Sequence, residues 1–145
     1  MEVYTIGFTR KTAAEFFDAL RAAGVRRLID VRLNNSSQLA GFTKRVDLPY
    51  FLREICQAEY RHEPLLAPTK EILDTYKKRQ GSWPEYERRF LALMAERAVE
   101  QRFSRDLFAV PSALLCSEPT ADRCHRRLVL DYLQERWGDL AAVHL

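Results

Sequence analysis

The sequence predicts an α/β protein with a mainly parallel sheet flanked by helices. Residues 1–7 are rich in β-branched and aromatic side chains and stop at a glycine, which is typical of a strand. A helix is predicted next, because Thr12 and Glu15 have the spacing of a capping box and Gly24 ends the run of helically spaced apolar residues. Residues 25–31 hold a short apolar core that predicts a second strand. A strand, a helix and a strand within about thirty residues form a βαβ unit with parallel strands.

The rest of the chain continues this alternation of helices and strands. Because a single helix joins the first two strands, we expect these strands to be neighbours in the sheet. No repeat, low-complexity tract or linker interrupts the order, so we expect one domain over residues 1–145. The later predicted elements are a polar loop over 32–42, a helix capped by Asp47, a short strand over 60–64, a helix from Pro68, a helix from Pro84 to about Gln101, a buried strand over 112–116, a helix ending at Trp137 and a strand over 141–145.

Composition and charge exclude several classes of protein. Hydrophobic residues make up 47% and charged residues 30% of the 145 residues, a balance that disordered and fibrous proteins lack. No apolar run approaches the ~20 residues of a membrane span, and residues 1–7 lack the features of a secretory signal, so we expect a cytoplasmic protein without a membrane partner. The net charge of +3 permits an anionic ligand without identifying nucleic acid. With three cysteines and no secretory signal, structural disulfides are not expected.

The densest group of chemically capable residues follows the predicted strand over 112–116. Open parallel sheets bind ligands at the carboxyl ends of their strands. A thiol near a helix N-terminus, an arginine and an imidazolium has a lowered pKa and a raised reactivity. Alternatively, Cys116 is a small core residue, and Arg123 and Arg127 are solvated. The candidate catalytic residues are Cys116, Glu118, Cys124 and His125, with Ser117 and Arg126 as candidate ligand-binding residues.

A second group follows the first two predicted strands. Asp30 and Arg32 are two residues apart and share one strand face, where charged side chains need a partner or a cleft. Either they form an internal ion pair, or Arg32 holds a phosphate or carboxylate. Residues 34–38 (Asn-Asn-Ser-Ser-Gln) add uncharged hydrogen-bonding groups. The candidate ligand-binding residues of this group are Gly7, Asp30, Arg32 and Asn34. We expect Gly7, Asp30 and Arg32 to share one cleft with Cys116, Glu118 and Arg126.

Metal and redox chemistry are alternatives for the same thiols. Cys116, Cys124 and His125 are metal-ligand types, and His62 could be a fourth ligand. The spacing lacks the Cys-x-x-Cys of zinc ribbons. Neighbouring residues on a helix point about 100° apart, which makes joint ligation by Cys124 and His125 awkward. We therefore expect no metal ligands here, and a Cys116–Cys124 redox pair stays open.

Three motifs give the chain a resemblance to a known family. They are Thr5-Ile6-Gly7, Asp30-Val31-Arg32, and Cys116-Ser117-Glu118 followed by Cys124-His125-Arg126. In order and spacing they resemble the uncharacterised family known as domain of unknown function 488 over almost the whole chain, and residues 33–42 resemble one subgroup of it. The resemblance implies a compact α/β fold and supplies no reaction. Phe8 departs from the histidine of many relatives, and Asn34 and Asn35 depart from their proline and basic residues.

The function that these residues favour is that of a small cytoplasmic enzyme whose cleft binds an anionic, phosphate- or nucleotide-like ligand. Arg32 and Arg126 would anchor the anion, one of the two motif cysteines would be the thiol, and Glu118 or His125 would move protons. Two alternatives use the same residues, a non-catalytic module for a nucleotide or nucleic acid and a metal- or redox-sensing regulator. Tyr86 is interpreted as helix core rather than a base-stacking surface. The sequence identifies neither a cofactor nor the oligomeric state.

Overall fold

Five parallel strands form the sheet at the centre of the protein. A computed structural model describes residues 1–36, 41–118 and 120–145. The strands are β1 (Glu2–Gly7), β2 (Arg27–Asp30), β3 (Glu59–His62), β4 (Ser112–Cys116) and β5 (Ala141–His144), in the order β3-β2-β4-β1-β5. The helices are α1 (Ala13–Ala22), α2 (Leu48–Phe51), α3 (Lys70–Lys77), α4 (Trp83–Arg97), α5 (Val99–Arg102) and α6 (His125–Trp137). The predicted α/β class with a parallel sheet is confirmed. In the described part of the chain, no helix has the length and apolar character needed to cross a bilayer.

The strand order differs from the expected one at the centre of the sheet. β1 and β2 are not neighbours, because β4 lies between them and pairs with both. The prediction of adjacency was wrong, since a crossover helix sets the direction of the next strand and not the number of strands that it passes. All five residues of β4 are buried, which suits a central position. The insertion brings Cys116 opposite Gly7 and Leu115 opposite Asp30.

Local sequence signals set most of the helix boundaries. In the predicted capping box, the amide of Glu15 donates to the Thr12 hydroxyl at 3.1 Å and the amide of Thr12 donates to the Glu15 carboxylate at 2.8 Å. Gly24 follows α1 with a φ of 71°, as predicted for the residue that ends it.

Two helices depart from their predicted forms. The helix from Pro84 stops at Arg97, because Ala98 takes a left-handed conformation with a φ of 50°, and the separate short helix α5 replaces the predicted run to Gln101. Asp47 precedes α2, but its side chain makes no capping hydrogen bond. The chain continues from α2 as one π-helical turn over Leu52–Cys56.

The sheet separates two apolar cores, one on each face. Side chains alternate between the faces along every strand. On one face, Leu28 and Leu115 pack with the α1 side chains, Phe16 among them. On the other face, Leu114 packs with α4 and α6 through residues such as Phe90. Each such fully buried side chain contributes roughly 1.5–3 kcal/mol, so the carboxyl edge of the sheet rests on a rigid support.

Candidate active site

A cavity of about 100 Å³ opens beside the carboxyl end of β4. Its walls are the loop after β2, one side of α3, Tyr86 of α4 and the motif residues from Cys116 to His125. This volume is enough for several water molecules. It therefore admits a small anion or the reactive end of a larger molecule, whereas a complete drug-sized ligand needs roughly 300 Å³ or more.

His125 is oriented toward Cys116 by contacts on both of its ring nitrogens. Its Nε2 lies 2.5 Å from the carbonyl oxygen of Val31, and its Nδ1 lies 3.5 Å from the Sγ of Cys116. A carbonyl can only accept, so Nε2 carries a hydrogen and Nδ1 shares a proton with the thiol. The ring of Phe90 packs against the imidazole with its centroid 5.4 Å away. Cys116 and His125 therefore form a thiol–imidazole pair with a fixed orientation.

The strand order explains how this pair is assembled. Val31 follows β2, and its amide donates to the carbonyl of Leu115 in β4 at 3.1 Å. Cys116 ends β4, between β1 and β2. The carbonyl that orients His125 and the thiol that His125 faces are thus supplied by neighbouring strands.

A buried guanidinium lies behind the thiols. Arg126 is 0% exposed, and its Nη1 donates to the carbonyl oxygen of Glu118 at 2.7 Å and lies 3.5 Å from the Sγ of Cys124. Its Nε and Nη2 have no hydrogen-bond partner, so no carboxylate among the described residues pairs with it. An uncompensated buried charge is strongly unfavourable. Arg126 therefore favours a negative charge on the neighbouring sulfur atoms.

Cys124 is the N-cap residue of α6 and has an extended backbone, with φ −140° and ψ 141°. Because Cys124 is not helical, its side chain need not diverge from that of His125 as two helical neighbours do. The side-chain ligand atoms of Cys116, Cys124 and His125 all lie within 4.8 Å of one another. The expectation that Cys124 and His125 would point apart was wrong.

The surroundings of the two thiols shift their pKa values in opposite directions. The hydrogen bond from the Cys124 thiol, followed by the charges of His125 and Arg126, outweighs burial and holds the pKa of Cys116 well below its usual range. Burial and the bond to Cys116 raise the pKa of Cys124, which keeps its hydrogen. Burial by itself lowers the pKa of His125, but the charge and hydrogen bond of Cys116 raise it by more. These shifts favour a Cys116 thiolate beside a His125 imidazolium.

The three donors also lie within reach of a single metal ion. Two thiol sulfurs and an imidazole nitrogen are ligands that Zn²⁺ accepts. The guanidinium of Arg126, 3.5 Å from the Sγ of Cys124, opposes a further positive charge. His62, the fourth ligand considered, lies with its Nε2 3.1 Å from the carbonyl oxygen of Arg32 and is not part of the cluster found among the described residues.

Asp30 and Arg32 form an internal ion pair next to the cavity. The Nε and Nη2 of Arg32 each lie 2.9 Å from a carboxylate oxygen of Asp30, and Nη2 also donates to the carbonyl of Thr43 at 2.7 Å. The Tyr60 hydroxyl donates to Asp30 at 2.6 Å. The ring of Phe8 lies 5.4 Å from the Arg32 guanidinium. Of the two interpretations of this pair, the structure shows the ion pair, and the Arg32 donors are used inside the protein.

The mouth of the cavity carries the exposed side chain of Arg123. Lys77 of α3 forms an ion pair with the carboxylate of Glu118. Arg123 is exposed at the cavity and makes no hydrogen bond or ion pair within the described ranges. Asn34 lies in the same wall and adds an amide. Arg123, interpreted from the sequence as solvated, is therefore available to an anion in the cavity.

Gly7 and Ser117 shape the site through their backbones. A Cβ on Gly7 would lie 1.6 Å from the carbonyl oxygen of Glu118 and 3.1 Å from the Nη1 of Arg126. The amide of Thr9 donates to the carbonyl of Ser117 at 3.1 Å. The absence of a side chain at Gly7 thus allows the loop after β4 to approach β1 and meet Arg126.

The structure brings the predicted site residues to one edge of the sheet. Some of them line the cavity, and the others lie behind its lining. One set lines the cavity and comprises Arg32, Asn34, Cys116, Ser117, Glu118, Cys124 and His125. Gly7, Asp30 and Arg126 lie outside its lining and act through the residues that they contact. Ser37 and Gln38, predicted to add hydrogen-bonding groups, fall outside the described residues.

Sequence reasoning missed the wall opposite the motif. Tyr76 and Lys77 of α3 and Tyr86 of α4 line the cavity. Tyr76 belongs to the predicted apolar stripe of its helix, and Tyr86 was interpreted as helix core. At 4% exposure Tyr86 is buried in the core and also lines the cavity. A helical stripe gives no signal for which of its members faces a cavity.

A parallel sheet with a thiol–imidazole pair at its carboxyl edge defines the structural class of this protein. Residues 12–133 match the family model "Domain of unknown function DUF488", so the chain belongs to that family. The matched range contains β2, β4 and the Cys124-His125-Arg126 motif, and the resemblance drawn from the motifs is confirmed. No curated protein and no solved structure matches the chain.

Proposed function

We propose that this protein is an enzyme in which Cys116 attacks a small electrophilic group that carries negative charge. The observation that carries the proposal is the His125 ring, held by the Val31 carbonyl with its Nδ1 3.5 Å from the Cys116 Sγ. The buried Arg126, which has no carboxylate partner among the described residues, supports the same assignment. A nucleophile paired with an oriented base is the arrangement that covalent catalysis requires.

In the proposed reaction His125 moves the proton. Its Nδ1 holds the proton that Cys116 has given up, within reach of a leaving group in the cavity. The Val31 carbonyl stabilises the charged ring through Nε2. Phe90 keeps the ring in place by packing on it. His125 is therefore the general acid for a group that leaves as Cys116 attacks.

The cavity supplies polar groups for the substrate. Arg123, which pairs with no other described residue, offers its guanidinium to an anion at the mouth. Burial, together with the negative charge of Cys116, raises the pKa of Tyr86, so its hydroxyl keeps its proton and can donate to charge that develops on the substrate. Glu118 is paired with Lys77, which limits its repulsion of an anion. Arg126 and Arg32 act as buried supports in this proposal rather than as ligand anchors.

The substrate can extend beyond the cavity. An adjoining groove shares Leu33, Asn34, Leu73 and Lys77 with the cavity and continues along α3 past Lys70 and Lys78. A nucleotide could place a phosphate-sized part in the cavity and the remainder in this groove. This observation supports the alternative of a nucleotide-binding module, which would bind in the same place without using the thiol.

Alkylation with two reagents of similar size and different charge tests the proposal. We expect iodoacetate and iodoacetamide to label Cys116 before Cys56, whose pKa is raised by burial. The ratio of the iodoacetate rate to the iodoacetamide rate should be several-fold higher at Cys116 than at a free small thiol. This higher ratio is the gain that the anionic reagent has at Cys116. Arg123→Ala should abolish that gain, whereas Arg53→Ala, on the π-helical turn, should retain it. Peptide mass spectrometry measures the alkylation rate of each cysteine. If Cys116 is labelled no faster than Cys56, Cys116 is not an activated nucleophile.

Metal analysis of the purified protein separates the enzyme from a metal-sensing regulator. We expect no stoichiometric Zn²⁺ or Cu⁺. A metal present at one equivalent and lost in Cys116→Ser would assign the cluster to metal binding and overturn the proposal.

A further inference from the structure

We infer that Cys124 is a resolving thiol, so that a hydroperoxide reduced at Cys116 leaves a Cys116–Cys124 disulfide. The inference rests on the proposed function only for the nucleophilic character of Cys116. It also gives Cys124 a role of its own, because Cys116 can bind a substrate or react with an alkylating reagent without Cys124. The substrate class is a two-electron oxidant small enough for a cavity of about 100 Å³.

The two sulfur atoms are positioned for this step. The Sγ atoms of Cys116 and Cys124 belong to a set of side-chain atoms that all lie within 4.8 Å of one another. A disulfide requires a separation of about 2.05 Å, so the inference requires a change of side-chain torsion that brings the two sulfur atoms together. The Cys124 side chain makes no capping bond to α6 in the described part of the chain, and its Sγ lies 3.5 Å from the Nη1 of Arg126, a contact that such a rotation would break.

The third cysteine cannot substitute for Cys124. Cys116 is two residues from Leu114 and therefore projects from the same face of the sheet as Leu114, toward α4 and α6. Cys56 belongs to the core on the opposite face, where its Sγ lies 3.6 Å from the carbonyl of Phe17. An intramolecular disulfide of Cys116 is thus limited to Cys124.

The first step transfers oxygen to sulfur. The Cys116 thiolate attacks the terminal oxygen of the hydroperoxide, so that an S–O bond forms while the O–O bond breaks. The departing alkoxide takes the proton from the Nδ1 of His125 and leaves as an alcohol. Cys116 is oxidised to sulfenic acid, and the peroxide is reduced.

The second step forms the disulfide. His125, now neutral, takes the thiol proton of Cys124, and the Cys124 sulfur attacks the sulfur of the sulfenic acid. The S–S bond forms, the S–O bond breaks, and the hydroxide takes the proton from His125 to leave as water. Over both steps, one hydroperoxide and two thiols give one disulfide, one alcohol and one water. A small thiol or dithiol must then supply the electrons that restore the reduced protein.

Arg126 gives this disulfide a distinctive property. In the reduced protein the Cys116 thiolate offsets the buried guanidinium, whose Nε and Nη2 have no hydrogen-bond partner among the residues that the structure describes. Neither sulfur of a disulfide carries a charge, so oxidation leaves Arg126 uncompensated. We therefore expect the oxidised protein to melt at a lower temperature than the reduced protein, opposite to the usual effect of a cross-link.

Stoichiometric hydrogen peroxide, followed by alkylation of the remaining thiols and peptide mapping, tests the inference. We expect a peptide that links Cys116 to Cys124, reversed by dithiothreitol, in the wild type and in Cys56→Ala. Cys124→Ser should stop at a sulfenic acid on Cys116 that dimedone traps, and Cys116→Ser should leave Cys124 reduced.

The outcomes separate this inference from the proposed function. If dimedone traps Cys116 in the wild type while Cys124 stays free to alkylate, Cys124 is not a resolving thiol, yet Cys116 is still the nucleophile. If Cys116 reacts with neither peroxide nor iodoacetate, both the inference and the proposed function are wrong. If iodoacetate labels Cys116 rapidly and peroxide leaves it reduced, only the inference is overturned.

Discussion

Gly7 and Glu118 touch through their backbones at the carboxyl edge of the sheet. A Cβ on Gly7 would lie 1.6 Å from the Glu118 carbonyl oxygen, and this oxygen accepts the hydrogen bond from the Nη1 of Arg126. Gly7 also pairs in register with Cys116 across β1 and β4. One glycine thus sets the spacing between a central strand, the loop that bears the motif and the buried charge behind the thiols.

Gly7→Ala is expected to lower the free energy of unfolding by about 1–3 kcal/mol, the usual effect of overpacking. The added methyl group meets backbone, which cannot rotate away, so the loop after β4 must move. Urea denaturation measures the loss, and the alkylation rate of Cys116 should fall in the same variant. Gly41→Ala is the matched control, because a Cβ there meets no atom of the described residues within 4 Å. Equal stability of the two variants would contradict the close approach.

The pH dependence of Cys116 alkylation reports on its pair with His125. The groups that act on Cys116 are His125, Cys124 and Arg126 from the start of α6, with Lys77 of α3 and Tyr86 of α4 also within electrostatic range. Because the pKa of Cys116 is lowered, its thiolate persists as the pH falls below the range of ordinary thiols, near pH 8.5. The alkylation rate should therefore change little between pH 9 and pH 7, where a free cysteine slows by about tenfold or more.

His125→Gln removes a positive charge and a hydrogen bond from Cys116, so the pKa of Cys116 should rise and the midpoint of the rate profile should move to higher pH. His144→Gln is the control, since His144 lies on β5 with its Nδ1 2.6 Å from the Thr5 hydroxyl. A wild-type midpoint at the value of free cysteine, or equal profiles for the two variants, would show that His125 does not ionise Cys116.

The elements of this fold were predictable because their signals are local. Thr12 and Glu15 specify the start of α1 within four residues, and the run Ser-Ala-Leu-Leu-Cys specifies a buried strand by composition. The strand order was not predictable in the same way. Residue spacing within one βαβ unit carries no information about β4, which enters between β1 and β2 from more than eighty residues further along the chain.

The candidate site was predictable in its motif residues and not in its geometry. Carboxyl ends of parallel strands share one edge, which is why Cys116 and Arg32 were expected together. Whether Arg32 or Arg126 faces a ligand depends on contacts with Thr43 and with the Glu118 carbonyl, and these are set by tertiary packing. The conformation of Cys124 depends on where α6 begins, and a shift of one residue decides whether its sulfur meets the others.

Arg126→Met distinguishes an electrostatic role of Arg126 from a purely architectural one. Breaking a buried carboxylate pair costs about 3–5 kcal/mol, because a charge stays buried without a partner. Arg126 has no carboxylate partner among the described residues, and the thiol that it leaves behind can take up a proton. We therefore expect the free energy of unfolding to fall by less than about 3 kcal/mol, since a shift of one pKa unit corresponds to only about 1.4 kcal/mol. The same shift should move the midpoint of the Cys116 alkylation-rate profile to higher pH by about one unit. Arg127→Met is the control, since the Arg127 guanidinium pairs with Asp131 and should leave the rate unchanged. A large loss of stability with an unchanged alkylation rate would mean that Arg126 only holds the loop after β4 in place.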